Sequence, residues 1–297
     1  MVDYHARLAV AIFEATDEAM LITDKRQVIL SVNPAFERVT GYKAAEAIGQ
    51  TPRMLSSGRH DPSFYSEMWT TLMKAGHWHG EIWNRRKDGA LYAQRITISV
   101  LRDDDGEITN FVAIFSDITD SKREADRIRY LANYDGLTQL PNRQLLRDRL
   151  DRALAQGARN GTPVALMVLD LDGFKDINDR LGHLAGDRVL ELTAQRLSAC
   201  IRETDTVARL GGDEFVVLLP DAGSIAAVDK LAAKLLAAIG KPFAIGDREE
   251  SVGVSIGLAL YPLDGATPDS LLGAADAAMY RAKRAGGNRV VRAASAG

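Results

Sequence analysis

Apolar and polar positions alternate along the first third of the chain and then lengthen into blocks. "AMLITD" (19–24) and "QVILSVN" (27–33) alternate on either side of a polar turn at Asp24-Lys25-Arg26, which predicts two paired strands. "NPAFERVTGY" shifts to helical spacing, with Pro34 near its start and Gly41 just past its end. Residues 77–119 return to alternation and predict three consecutive strands. Their turns lie at Lys87-Asp88-Gly89 and Asp103-Asp104-Asp105-Gly106. Residues 1–117 are therefore expected to form a small antiparallel sheet with short helices on one side.

Residues 118–134, "ITDSKREADRIRYLANY", are charged, lack Gly and Pro, and favour helix. Ile118, Ala125 and Ala132 fall seven apart, with Ser121 and Ile128 at the intervening positions, so a heptad seam and a solvated linker helix are both open. From residue 135 onward strands alternate with helices. Helix is predicted from about Arg143 to Asn160, then a buried strand at 163–170, helical segments through Arg202, and a hairpin in "TVARLGGDEFVVLLP". A helix over 222–240, a strand over 250–262 and a helix over 268–285 follow. That order predicts an α/β domain with a mixed sheet over 135–297.

Composition narrows the class. At 297 residues, two domains are expected. Hydrophobic content of 46% and charged content of 26% describe an ordinary globular chain. A net charge of −3 gives no support for nucleic acid or an anionic membrane as partner. The single cysteine, Cys200, excludes an internal disulfide and suits a reducing cytoplasm, where it reads as a buried structural thiol. No apolar run approaches the ~20 residues that span a bilayer. "MVDYHARLAVAIFEAT" reads as a short amphipathic helix rather than a signal peptide.

The chemistry gathers around "ARLGGDEFVVLLP" (208–220), where two glycines meet Asp213 and Glu214 at a predicted hairpin tip. The strand at 164–169 runs into Asp170-Leu171-Asp172, the place where parallel strands of α/β folds carry their sites. If the two strands are neighbours, Asp170, Asp213 and Glu214 converge. Carboxylates that converge repel unless a hard cation lies among them, and oxygen-only ligation favours Mg²⁺ or Mn²⁺ completed by substrate phosphates. A nucleotide is the expected substrate class. A bare Gly-Gly-Asp turn and a strand-end Asp are the ordinary alternative. Lys175 is a phosphate-seeking cation, and Asn178 and Asp187 suit a guanine edge, since a carboxylate can accept from both N1–H and N2–H₂. Asp187 also sits where a helix start favours negative charge.

Four segments carry a resemblance. "DGLTQLPNR" (135–143), "DLDGFKDINDRLGHLAGD" (170–187), "GGDEF" (211–215) and "DAAMYRAKRAGGNRV" (276–290) together resemble the GGDEF family, the diguanylate cyclases. The resemblance implies a nucleotidyl-cyclase-like fold, a mixed central sheet surrounded by helices. It implies metal ligation by Asp170, the Leu171 carbonyl and Glu214, with Asp213 either joining them or acting as the base on the ribose 3′-hydroxyl, and Asp213 and Glu214 as catalytic residues. It also implies substrate binding by Phe174, Lys175, Asn178, His183, Asp187, Arg209 and Lys283. The implied reaction joins two GTP into cyclic di-GMP across a homodimer. "RETD" (202–205) resembles the family's product-inhibition motif, in Arg202 and Asp205. Gly287 departs from the Arg or Lys common in relatives. A domain that binds GTP or cyclic di-GMP without turnover is the second reading, and a dimerising scaffold the third.

"AMLITDKRQVILSVNPAFERVTGY" and "GEIWNRRKDGALY" resemble a PAS domain with its PAC part, across most of 8–119. That makes the expected chain an α+β/α/β two-domain protein: PAS sensor over 1–117, helical linker over 118–134, GGDEF domain over 135–297. "WNRRKDG" resembles flavin-binding PAS sensors, where Trp83 and Asn84 would face the ring. His60, His77 and His79 raise haem as another candidate, and a ligand-free domain is the third.

Overall fold

The turn chemistry of the first third closes a five-stranded antiparallel sheet in the computed structural model, which describes residues 2–246 and 248–294. The chain divides into two units, Met1–Arg127 and Ile128–Gly297.

The first unit runs α1 (Val2–Ala15), β1 (Ala19–Asp24), β2 (Ile29–Val32), α2 (Pro34–Thr40), α3 (Ala44–Ala47), α4 (Pro62–Ala75), β3 (His77–Arg85), β4 (Leu91–Arg102) and β5 (Ile108–Asp117). The strands lie in the order β2-β1-β5-β4-β3. Asn33 caps α2 by accepting from the Phe36 N–H at 2.9 Å. Its amide also donates to the Phe13 and Glu18 carbonyls, tying the helix start to the preceding segment. Helix α4 has no counterpart in the sequence reading, although its cap is legible there: Asp61 accepts from the Ser63 and Phe64 amides, with Pro62 at the first helical position. Alternate positions of β1, β4 and β5 meet Phe36, Leu55 and Met68 in the core.

Helix α5 (Thr119–Asn133) contains the boundary between the units. The second unit continues with α6 (Arg143–Asn160), β6 (Val164–Asp172), α7 (Phe174–Leu181), α8 (His183–Ser198), β7 (Thr206–Gly211) and β8 (Glu214–Leu219). It is completed by α9 (Ile225–Ile239), β9 (Phe243–Ile245), β10 (Arg248–Glu250), β11 (Gly253–Tyr261), α10 (Pro268–Arg284) and β12 (Arg289–Arg292). Its main sheet has the order β12-β11-β6-β8-β7.

Strand β6 is antiparallel to both neighbours, β11 and β8, and only the β11–β12 pair is parallel. The expectation of a parallel strand ending just before Asp170 is thus corrected. A continuous apolar run reports burial on both faces but not the direction of neighbouring strands. The two faces are separate cores. Met167, Leu169, Phe215 and Val217 meet α7, α8 and α9 on one side; Leu166, Val168, Val216 and Leu218 meet α6 and α10 on the other. Gly257 lets α10 lie close on β11, because a Cβ there would stand 2.0 Å from the Ala275 carbonyl oxygen. Cys200 is half-buried against the first of these cores.

Candidate active site

Strand pairing brings the acids together. Asp170 lies directly opposite Glu214 in the β6–β8 register. Opposed residues of an antiparallel pair share a face, here the face packed on α6 and α10. Asp213 belongs to the two-residue turn between β7 and β8, and its carbonyl accepts from the Leu171 N–H at 3.4 Å. Lys283 sits one helical turn beyond Met279 on α10, and its Nζ reaches Asp170 Oδ1 at 2.5 Å. That buried oxygen has no other partner among the described residues.

Burial pushes the Asp170 carboxyl above its usual range; the Lys283 ammonium pulls it back, and the Asp213 and Glu214 charges push it up again. A buried carboxylate held beside two others is the donor set a hard divalent cation requires, so these residues fit Mg²⁺ or Mn²⁺. Among the described residues no three acids, histidines or cysteines form a cage by themselves. Mg²⁺ sites of one or two carboxylates are ordinarily completed by water and phosphate.

Asp172, two residues on, is committed elsewhere. It accepts from Ser255 Oγ and from the Asn288 N–H, both at 2.7 Å. Gly287, at φ +70°, lies against it: a Cβ there would stand 2.9 Å from Asp172 Oδ2.

The remaining candidates sort by position. The Asn178 side chain rests on Gly186, where a Cβ would stand 2.0 Å from its Oδ1, and Asp187 is the next residue on α8. The two residues expected to read the base therefore lie together at the α7–α8 junction. Lys175 and His183 are exposed. The Phe174 ring is buried in the core, so its side chain cannot meet a phosphate; only its backbone N–H, in the first turn of α7, can. Arg209 is likewise corrected. Its Nε and Nη2 donate to the Gly212 carbonyl at 3.0 and 2.7 Å, and its Nη1 to Asp135 Oδ1 at 2.9 Å. Its guanidinium is spoken for within the fold. Arg202 is exposed, and its N–H donates to Asp205 Oδ2 at 3.0 Å, so the "RETD" segment forms a closed turn.

In the first unit a cavity of about 570 Å³ is lined by Leu21, Met68, Ile96 and Phe115 together with His60, Asn84 and Gln94. Strand alternation puts Trp83 and Asn84 on opposite faces. Asn84 lines the cavity, whereas Trp83 packs under Arg59, whose guanidinium carbon is 4.4 Å from the ring centre. The pairing of both residues on one ligand ring is thus corrected. His60 Nε2 accepts from the Trp83 N–H at 2.9 Å. His77 and His79 are exposed on β3.

The profile of the diguanylate cyclase GGDEF domain matches residues 132–289, and that of the PAS domain matches 17–120. The bifunctional diguanylate cyclase/cyclic di-GMP phosphodiesterase MucR of Pseudomonas aeruginosa is 49% identical over 158 residues, 53% of this chain and 23% of MucR. The cyclic di-GMP phosphodiesterase PdeR of Escherichia coli is 33% identical over 273 residues, 90% of this chain and 40% of PdeR. The chain thus spans less than half the length of these curated relatives. The crystal structure of the TpbB GGDEF domain from P. aeruginosa superposes with a TM-score of 0.52 at 44% identity, covering 53% of this chain and 98% of that one. The coiled coil and GGDEF domain of DgcB from Caulobacter crescentus, in complex with c-di-GMP, gives 0.54 at 31% identity, covering 59% and 93%. With its acids opposed across β6 and β8 and its signature turn intact, the chain belongs to the GGDEF-domain family of diguanylate cyclases and carries a PAS domain ahead of it.

Proposed function

We propose that the chain is a PAS-regulated diguanylate cyclase that condenses two GTP into cyclic di-GMP and two pyrophosphates. The observation that carries this reading is the meeting of Asp170, Asp213 and Glu214 at one end of the β6–β8 pair. In the first step one 3′-hydroxyl loses its proton and bonds to the α-phosphorus of the other GTP as the bond to pyrophosphate breaks. The second step repeats this with the roles exchanged and closes the ring. Asp170, the Leu171 carbonyl, Asp213 and Glu214 would hold Mg²⁺ or Mn²⁺, which when bound supplies charge neutralisation at the reacting phosphate. Asp213 would alternatively take the 3′-hydroxyl proton.

Asn178 and Asp187 orient guanine. Lys175, His183, Lys283 and the first-turn amides of α7 receive the triphosphate, an arrangement favoured by the helix dipole. One domain takes one GTP, so the working species is a homodimer with the reaction between two facing sites. Residues 118–134 would set that pairing. Arg202 and Asp205 form a product-inhibition site, since the exposed Arg202 guanidinium can fork onto a phosphate or guanine edge. The cavity of the first unit is the place for a signal ligand, and an absorption spectrum separates flavin, haem and a ligand-free domain. Among the described residues no helix is long and apolar enough to cross a membrane.

Purified protein incubated with GTP and Mg²⁺ should yield cyclic di-GMP by chromatography, and Glu214→Gln should lower turnover ~100-fold or more. Near-wild-type turnover of that variant at saturating Mg²⁺ would refute the metal assignment. The second reading, a GTP or cyclic di-GMP receptor, draws on PdeR: the relative matched over 90% of this chain is named for hydrolysis of cyclic di-GMP. Binding of either nucleotide without product would favour it.

A further inference from the structure

The last strand brings a cation to the acidic end of the sheet. Arg289 pairs with Ser255 in the β11–β12 register, Ser255 with Asp170 across β11 and β6, and Asp170 with Glu214 across β6 and β8. Residues in register on adjacent strands share a face, so one row carries Glu214, Asp170, Ser255 and Arg289 in that order. At about 4.8 Å per strand, the Arg289 backbone stands roughly 10 Å from that of Asp170. An extended arginine side chain spans much of that distance.

The side chain is aimed by the turn before it. Its Nε donates to the Gly287 carbonyl at 3.1 Å, and its Nη2 lies 3.5 Å from the place a Cβ on Gly286 would take. Gly286 and Gly287, with φ of +104° and +70°, carry no side chain to keep the guanidinium off the turn. The turn itself is anchored. The Asn288 N–H donates to Asp172 Oδ2 at 2.7 Å, and position 287 lies against the same carboxylate. Asp172 directly precedes Gly173, the residue that opens α7. The guanidinium is therefore held over a turn that is bonded to the threshold of α7, where the first-turn amides lie.

The neighbouring cations are committed within the fold. Lys283 pairs with Asp170, Arg281 donates to the Arg292 carbonyl at 2.7 Å, and Arg292 pairs with Asp229. Arg289 is exposed and has no ion pair among the described residues; Nε is its one bonded nitrogen there. Its Nη1 and Nη2 remain as an open fork, the geometry that meets a phosphate with two parallel bonds.

We propose that Arg289 is a further substrate-binding residue of the cyclase site: its guanidinium, aimed by the Gly287 carbonyl, takes the outer phosphates of GTP. The order of the row decides which phosphates these are. Asp170 and Glu214 mark the place of the reacting α-phosphate, and Arg289 stands two strands further out, where pyrophosphate would leave.

The experiment titrates the full chain, in Mg²⁺, with α,β-methylene-GTP and with GMP. The first carries carbon at the bridge that would break, so nothing turns over; the second lacks the outer phosphates. Wild type should prefer the triphosphate. Arg289→Gln should weaken binding of α,β-methylene-GTP ~10-fold or more while GMP affinity stays within about twofold. Arg289→Lys should fall between, since an ammonium keeps the charge but not the fork. Arg284→Ala is the control. It removes another exposed cation, one residue past Lys283 and about 100° around α10, and should leave both affinities unchanged. Each variant should melt within about 2 °C of wild type, as expected of exposed side chains. Equal losses for GMP and the triphosphate would make Arg289 a brace of the fold, and an equal loss in Arg284→Ala would make the effect one of overall charge; either overturns the proposal. So would an undiminished triphosphate preference in Arg289→Gln. The inference rests on the cyclase reading for the role of the phosphates, but the titration does not need turnover. Cyclic di-GMP formation with that preference undiminished would strike Arg289 alone. An Arg289-dependent preference in a chain that forms no cyclic di-GMP would uphold Arg289 and strike the cyclase reading.

Discussion

Replacing Gly186 by alanine separates the fold from the base-reading role proposed for Asn178. Gly186 is the fourth residue of α8, where alanine is the better helix former by about 1 kcal/mol. The new methyl would stand 2.0 Å from Asn178 Oδ1, 2.9 Å from its Cγ and 3.2 Å from Phe174 Cζ. The first two contacts are intolerable, but they fall on the free end of a side chain that can swing out. The third asks the ring to give by a few tenths of an ångström. Stability should therefore hold, with Tm within about 3 °C of wild type. Asn178, driven from its seat, would lose the bond to the guanine edge proposed for it. A lost bond of this kind is worth about 1–2 kcal/mol, which raises KM for GTP ~5–30-fold. The assay is pyrophosphate release across a GTP series, with a thermal melt on the same sample. A folded variant with unchanged KM would remove Asn178 from base recognition. A Tm lower by many degrees with KM unchanged would place the clash in the Phe174 core instead.

Gly257→Ala should be far more damaging, because its methyl would stand 2.0 Å from the Ala275 carbonyl and 2.2 Å from the Met279 nitrogen; a loss of about 3 kcal/mol or more is expected by denaturant titration. Asp170→Asn should abolish product while raising Tm, since it removes a buried charge disfavoured by burial and by its acid neighbours; a gain of about 1 kcal/mol is expected, and a fall in Tm would contradict that account. Arg202→Ala should leave the initial rate intact and raise the product concentration needed for inhibition, read from progress curves with added cyclic di-GMP. Asp117 accepts from the Thr119 N–H and hydroxyl at the start of α5; burial pushes its carboxyl up, but Thr119 and Arg86 hold it below 3.8. A depressed acid stabilises above its unfolded value and loses that effect as pH falls through the folded one. The Tm deficit of Asp117→Asn should accordingly be full at pH 7 and shrink below about pH 4.

What was legible in the sequence was local. The hairpins at 87–89 and 103–106 and the Pro34/Gly41 boundaries are written in turn and cap residues, whose preferences act over a few positions. The second unit's acids were legible because strand pairing put Asp170 opposite Glu214, as neighbouring strands would. Strand direction was not legible: β6 is apolar on both faces, and burial alone does not tell parallel from antiparallel. Trp83 and Asn84 failed as a pair for a reason visible in advance, since consecutive strand residues face opposite ways. Arg209 was misplaced because its partners, Asp135 and the Gly212 carbonyl, are set by tertiary folding, and one arginine beside acids reads equally well as a ligand for phosphate. Helix α4 was missed although Asp61-Pro62 is an ordinary start, because little in its pattern set it apart from the surrounding loops.

The two acids of "DLD" face the same side of β6, yet they answer to different pressures. Asp172 is stitched to Ser255 and to the backbone ahead of β12, so it belongs to the architecture; Asp170 has an ammonium and two repelling carboxylates for company. In a saturation library scored separately for soluble abundance and for product, the two positions would part. Changes at 170 would accumulate among abundant but silent clones, whereas changes at 172 would be depleted before any nucleotide was offered.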